Sequence, residues 1–283
     1  MPTDEQLNQY RDQGFMIADD AVKQGMLDAL EAAARRVRDK VRSGEVDIKS
    51  VRADGGEPQV IWGLMAPDFG EPVFADYLIS SALMDYVHNF LGEELRLGAV
   101  SLFCNANQST YDTGWHRDMS GRERDADEQQ ELELLGTHRK DFRKWHLALV
   151  DDPCLWVVPG SQRRSRTDLE REVLIDRRHD DLPEQLAIEL KRGQTVFWNG
   201  NIIHRGRAPE RVDERLSLVA HLSRYRADEL PGEVDERERW LLADNVRQAL
   251  PEPMLVLYDR WLALQQDAVS AEPVGTADSV SSS

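Results

Sequence analysis

Residues 193–206 read Gly193-Gln-Thr-Val-Phe-Trp-Asn-Gly-Asn-Ile-Ile-His-Arg-Gly206. A turn glycine opens an apolar, β-prone run. Asn199-Gly200 makes a second turn, and two β-branched residues carry the chain into His204. Comparable short runs lie at about 95–105, 113–118, 145–150, 155–158, 172–175, 186–190 and 215–224. Helical patterns flank them. Thr3 with Gln6 resembles a capping box that opens a helix to about Asp12, ended by Gly14. Val22 to Arg42 carries Met26, Leu27, Leu30, Ala33 and Ala34 on one face, and Ala82 to Leu91 stops at Gly92. Residues 43–60 read as irregular; Glu233 to Leu250 and Pro253 to Ala268 read as helical. Many short strands with flanking helices predict a mainly β fold, a double-stranded β-helix of jelly-roll, cupin-like type. One domain is expected over residues 1–268, with a disordered tail at 269–283.

Far upstream of His204 stands His116-Arg117-Asp118. In an extended segment residues i and i+2 share a face, so His116 and Asp118 can grip one ion together. Two imidazoles and one carboxylate make the facial triad that holds non-haem Fe(II) and leaves coordination positions open. Eleven positions past His204 comes Arg215, with Ser217 on the same face of a predicted strand. A guanidinium fork and a hydroxyl beside an iron site suit the distal carboxylate of 2-oxoglutarate. Arg207 and Arg211 are the rival anchors, in a segment where surface ion pairs are the simpler reading.

With His116, Asp118, His204 and Arg215 in this order and spacing, the chain resembles the phytanoyl-CoA dioxygenase-like Fe(II)/2-oxoglutarate oxygenases. The likeness extends to Trp145-His-Leu-Ala-Leu-Val-Asp-Asp152, to Leu155-Trp-Val-Val-Pro-Gly-Ser-Gln162 and to the opening Thr3–Ile17 segment. It spans roughly residues 3–226. The chain departs from that family at three places. Gln162 replaces a usual histidine, Asp151-Asp-Pro-Cys154 is a short acidic loop without the common Asn-Gly, and residues 119–144 form a charged insertion suited to an active-site lid. The resemblance implies a dioxygenase that consumes 2-oxoglutarate and O2, releases succinate and CO2, and hydroxylates an unactivated C–H bond of a small-molecule metabolite. Asp118 favours hydroxylation over halogenation, because halogenating relatives lack that carboxylate. Two alternatives stand beside this: a cupin-like metal protein with non-oxidative chemistry, and a non-catalytic binding module derived from an oxygenase.

The other candidates are weaker. The Asn105 amide suits the inner carboxylate or keto oxygen of the co-substrate, with turn capping as the competing role and Asn107 as its rival. His146 alternates with Ala148 and Val150 and either lines the pocket or packs in the core. Trp145 and Trp198 read as core, with pocket lining second for Trp145. The basic runs at Arg139-Lys140, Arg143-Lys144 and Arg163-Arg-Ser-Arg166 suit an anionic substrate or a solvated face. His138 falls in the insertion, and His88 and His221 read as packing or surface residues.

Composition bounds the partners. A net charge of −17 and a pI near 4.9 argue against nucleic acid and anionic membranes. No apolar run approaches the ~18 residues of a membrane span, and the N-terminus lacks the basic and apolar regions of a signal peptide. Cys104 and Cys154 sit in apolar runs and read as reduced. A cytoplasmic protein is expected.

Overall fold

The computed structural model describes residues 1–53, 56–104, 112–119, 121–137, 142–208 and 214–265. The expected tail 269–283 and the candidates Asn105, Asn107, His138, Arg139, Lys140 and Arg211 lie outside the described residues.

Helix α1 (Asp4–Gln13) starts on the expected capping box, with Thr3 and Gln6 satisfying each other's backbone N–H groups. It ends at Gly14, whose φ of 88° few other residues adopt. Strand β1 (Phe15–Ala18) follows, then α2 (Gln24–Ser43), which buries Leu27, Leu30, Ala33, Ala34, Val37 and Val41. The segment expected to be irregular holds two short strands, β2 (Ser50–Arg52) and β3 (Pro58–Ile61). Next come α3 (Val73–Leu78), α4 (Ser81–Leu91), β4 (Leu95–Arg96) and β5 (Val100–Phe103). The charged insertion contains α5 (Glu128–Thr137). Strands β6 (Phe142–Ala148) and β7 (Asp152–Val158) precede α6 (Asp168–Asp176). The chain continues through β8 (Leu186–Leu190), β9 (Thr195–Trp198), β10 (Ile203–Gly206) and β11 (Ser217–Arg224) to α7 (Val246–Ala249) and α8 (Glu252–Leu262).

The strands form two antiparallel sheets. The larger runs β1-β9-β6-β11-β5-β3-β2, with β4 pairing on β11; the smaller runs β10-β7-β8. This is the jelly-roll double-stranded β-helix with flanking helices. Strand alternation sorts the side chains. Trp145, Leu147, Phe197, Leu218, Ala220 and Leu222 join α2, α3 and α4 in the main core. Ala148, Leu155, Val157, Val196 and Trp198 meet between the sheets. Full burial of one such aliphatic side chain is worth about 1.5–3 kcal/mol, so this core carries most of the fold's stability.

Two expected strands are not formed. Residues 172–175 belong to α6, because Thr167 and Glu170 build a capping box that starts a helix there. Tertiary packing lets the β-branched content of Val173 and Ile175 be carried on a helix. Residues 113–118 form no strand, and the isolated bridges Asp112↔Arg207 and His116↔His204 stand beside the smaller sheet. At the C-terminal end, 233–250 is broken into a single 3-10 turn, Arg239–Leu242, and the short α7. Among the described residues no helix is long and apolar enough to cross a membrane, and both cysteines are buried and free.

Candidate metal centre

The backbone of His116 exchanges two hydrogen bonds with His204, at 3.0 and 2.9 Å. This bridge brings two residues 88 positions apart side by side. Asp118 N–H donates to Gly200 O at 2.8 Å, so the Asn199-Gly200 turn receives the carboxylate residue. One nitrogen or oxygen from each of His116, Asp118 and His204 lies within 4.8 Å of the others. The rings are oriented by their own backbone. His116 Nδ1 sits 2.9 Å from Gly114 O, and His204 Nδ1 2.9 Å from Ile202 O. A carbonyl only accepts, so Nδ1 carries the proton and Nε2 keeps its lone pair for a metal. Burial holds both imidazoles below their ordinary pKa, His204 down to about 3, where the neighbouring His116 adds to the effect. Both are neutral donors at pH 7. This donor set fits Fe(II): three ligands on one side, with room on the other.

Gly200 is required for this approach. A Cβ there would stand 2.9 Å from Asp118 Oδ2 and 3.2 Å from Asp118 Cβ. Gly200→Ala is therefore expected to displace the carboxylate and lower Fe(II) affinity by at least ~10-fold, in the range of lost outer-shell support. Metal content after equilibrium dialysis checks this; wild-type affinity would show that Asp118 is not constrained by the turn.

The Pro-Gly-Ser-Gln turn supports the same bridge. Ser161 Oγ accepts from Ile203 N–H at 2.8 Å and donates to Val158 O at 2.7 Å. Gln162, in the place of the family's histidine, donates through Nε2 to Arg11 O at 3.2 Å and ties the turn to the end of α1. Arg117, between His116 and Asp118, donates to Ser161 O at 2.8 Å, to Arg164 O at 3.0 Å and to Glu131 of α5. Glu131 also receives Arg166 and Arg171. The charged insertion is thus pinned to the His116–Asp118 segment by a fully buried carboxylate.

His116 and Asp118 line a cavity of about 950 Å3, and Asp118 also lines an adjoining one of about 750 Å3. Trp62, Phe103, Asp118, Lys144 and Arg237 line both. Gly121, Glu123 and Arg124 border one and Thr137 the other, so both ends of the described insertion reach the cleft. Lys144, noted in the sequence only as part of a basic run, points inward from β6. Its Nζ lies 3.2 Å from Asp118 Oδ2 and 5.1 Å from the centre of the Trp198 ring. His221, read as a packing or surface residue, also lines the cleft and lies 3.6 Å from Glu238.

Arg215 and Ser217 are both buried, but the last strand begins only at Ser217, so Arg215 belongs to the segment that leads into it and not, as expected, to the strand itself. They already hold a carboxylate. Asp152, at the start of β7, places Oδ2 3.0 Å from Arg215 Nε, 2.5 Å from Ser217 Oγ and 2.9 Å from His146 Nε2. Burial alone would raise the Asp152 pKa, yet Arg215, His146 and Ser217 keep it well below the usual carboxylate range. His146 therefore turns to this cluster rather than to a substrate. Two other candidate substrate contacts are corrected. Trp145 faces the helix layer, where its Nε1 donates to Tyr77 Oη at 3.0 Å, because inward and outward positions alternate along β6. Arg163 is exposed and pairs with Asp12 at 3.1 Å, away from the cleft. Arg207 pairs with Asp181 at 2.6 Å, as a surface residue would.

The phytanoyl-CoA dioxygenase (PhyH) pattern matches residues 10–210. The chain belongs to the phytanoyl-CoA dioxygenase family. It is an enzyme of the 2-oxoglutarate-dependent oxygenase type, in a family that uses Fe(II), 2-oxoglutarate and O2. No curated protein sequence matches it. Among solved structures it is similar to EctD from S. alaskensis with 2-oxoglutarate and 5-hydroxyectoine, at 16% identity and TM-score 0.60, over 79% of this chain and 77% of that one. HygX from Streptomyces hygroscopicus, with nickel and 2-oxoglutarate, gives 18% identity and TM-score 0.57 over 84% and 94%. The epimerase SnoN from nogalamycin biosynthesis gives 18% and 0.55 over 78% and 82%. These likenesses concern the fold.

Proposed function

We propose that the protein hydroxylates a C–H bond of a small-molecule metabolite, using Fe(II) held by His116, Asp118 and His204. The convergence of these three donors within 4.8 Å at the mouth of a cleft carries this reading. When bound, Fe(II) with 2-oxoglutarate and O2 supplies the oxidising power, and succinate and CO2 leave. The chain's residues do the rest. Gly114 O and Ile202 O fix the two rings, and the Gly200 turn sets the carboxylate. Trp62 and Phe103 line the cleft beside Asp118 and give it apolar walls that limit water. Arg215 and Ser217 are the candidate donors for the distal carboxylate, and their partner within the chain is Asp152. Asp118 supports hydroxylation over halogenation, since its carboxylate fills the position a halide would need. The cavity volumes suit a small molecule.

The test is succinate formation from 2-oxoglutarate by the purified protein across a panel of small molecules, with product mass recorded. Iron-dependent succinate release and a product one oxygen atom heavier are expected. Succinate release with a product of unchanged mass would replace hydroxylation by epimerisation. Absence of any iron-dependent succinate would remove the oxygenase reading.

A further inference from the structure

The buried cluster beneath the metal centre has an internal occupant where a ligand's carboxylate is expected. Three donors from two strands and the residue leading into one of them converge on a single oxygen, Asp152 Oδ2: Arg215 Nε, Ser217 Oγ and His146 Nε2, at 3.0, 2.5 and 2.9 Å. The other oxygen, Oδ1, accepts from Cys154 N–H at 2.7 Å. Both oxygens are satisfied and the side chain is 0% exposed. The cluster adjoins the metal site. Trp198 lies 6.5 Å from His146 and 6.2 Å from His204, ring centre to ring centre. The Arg215 guanidinium lies 5.1 Å from the centre of Phe103, which lines the cleft. Asp152 owes its place to the short loop Asp151-Asp-Pro-Cys154, which starts β7 at once and sets Asp152 facing β11.

We propose that Asp152 is a specificity-determining residue for the co-substrate, neutralising Arg215 so that the site discriminates weakly between 2-oxo acids with and without a distal carboxylate. This rests on the Fe(II)/2-oxoglutarate reading. The physical reason is electrostatic. An anchor that selects a carboxylate offers it positive charge in a low-dielectric site. Here the guanidinium charge is matched by a carboxylate at contact distance, and the serine and imidazole donors are aimed at the same oxygen. A second carboxylate meets a like charge and shares its donors. A 2-oxo acid with an apolar tail meets neither cost.

The experiment is anaerobic titration of the Fe(II)-loaded protein with 2-oxoglutarate and with 2-oxopentanoate, which has the same carbon chain without the distal carboxylate. The metal-to-ligand charge-transfer band reports binding without turnover. Wild-type protein is expected to bind the two within ~10-fold of each other, whereas losing a charge-assisted partner at an unneutralised anchor costs roughly 30-fold or more. Asp152→Asn keeps an acceptor and removes the charge. It is expected to tighten 2-oxoglutarate by at least ~10-fold, since a like charge about 5 Å away is worth on the order of 100-fold at interior screening. Its 2-oxopentanoate affinity should stay within ~3-fold of wild type. Wild-type discrimination above ~30-fold overturns the proposal, whether or not the variant folds. So does an Asp152→Asn protein, shown folded by thermal melting, whose 2-oxoglutarate affinity is unchanged or weaker. A charge-transfer band absent with every 2-oxo acid would overturn the co-substrate reading itself and this proposal with it.

Discussion

Replacing His204 with alanine is expected to abolish stoichiometric Fe(II) binding. Loss of an outer-shell partner typically costs 10–100-fold in metal affinity, so loss of a ligand is expected to exceed ~100-fold. His204 is buried, neutral at pH 7 and fixed at Nδ1 by Ile202 O, so its remaining nitrogen is left as a donor beside His116 and Asp118. His116→Ala should match it. Asp118→Gly should retain part of the iron while losing hydroxylation, because both imidazoles remain. Metal content and chelator competition read the first effect, and product formation the second. A His116→Ala/His204→Ala protein that binds iron normally and turns over would disprove the ligand assignment.

The second large effect is on stability. Glu131→Ala is expected to destabilise the protein by about 3–5 kcal/mol, because it leaves buried guanidinium groups without their carboxylate. Arg117 and Arg166 are almost fully inaccessible, and both donate to Glu131, as does the partly exposed Arg171. At this chain length the melting temperature should fall by roughly 10 °C. Glu133→Ala, on the exposed face of the same helix, should stay within ~0.5 kcal/mol. Since Arg117 stands between His116 and Asp118, weaker Fe(II) binding should accompany the loss. Thermal melts of the two variants decide the matter; equal shifts would show that the buried cluster contributes nothing beyond an ordinary helix contact.

The buried pairing also changes what an Arg215 variant reports. Arg215→Ala leaves Asp152 buried and stripped of its guanidinium, so lost stability and lost co-substrate binding arrive together. Asp152→Asn separates them better.

The amino-acid sequence by itself determined the parts of this protein that rest on short-range periodicity and local chemistry. The i, i+2 spacing of His116 and Asp118, the β-prone runs ending in His204 and entering Ser217, and the Thr3–Gln6 capping box are each settled within a few residues. The same local signal existed at Thr167–Glu170, where the capping box outweighs the β-branched residues after it. What only the tertiary structure decided is which buried charge meets which. Asp152 and Arg215 stand 63 positions apart, and Glu131 stands 14 from Arg117 and 35 from Arg166. No periodicity announces such pairs. Strand alternation left Trp145 and His146 on opposite faces, but the helix layer and the carboxylate that claimed them came from sheet order and from a shortened loop. A buried charge must find a partner wherever folding places one, because its desolvation cost is too large to leave unmet. The fold therefore sets these pairings, and through them it turned an expected carboxylate anchor into one that already holds a carboxylate.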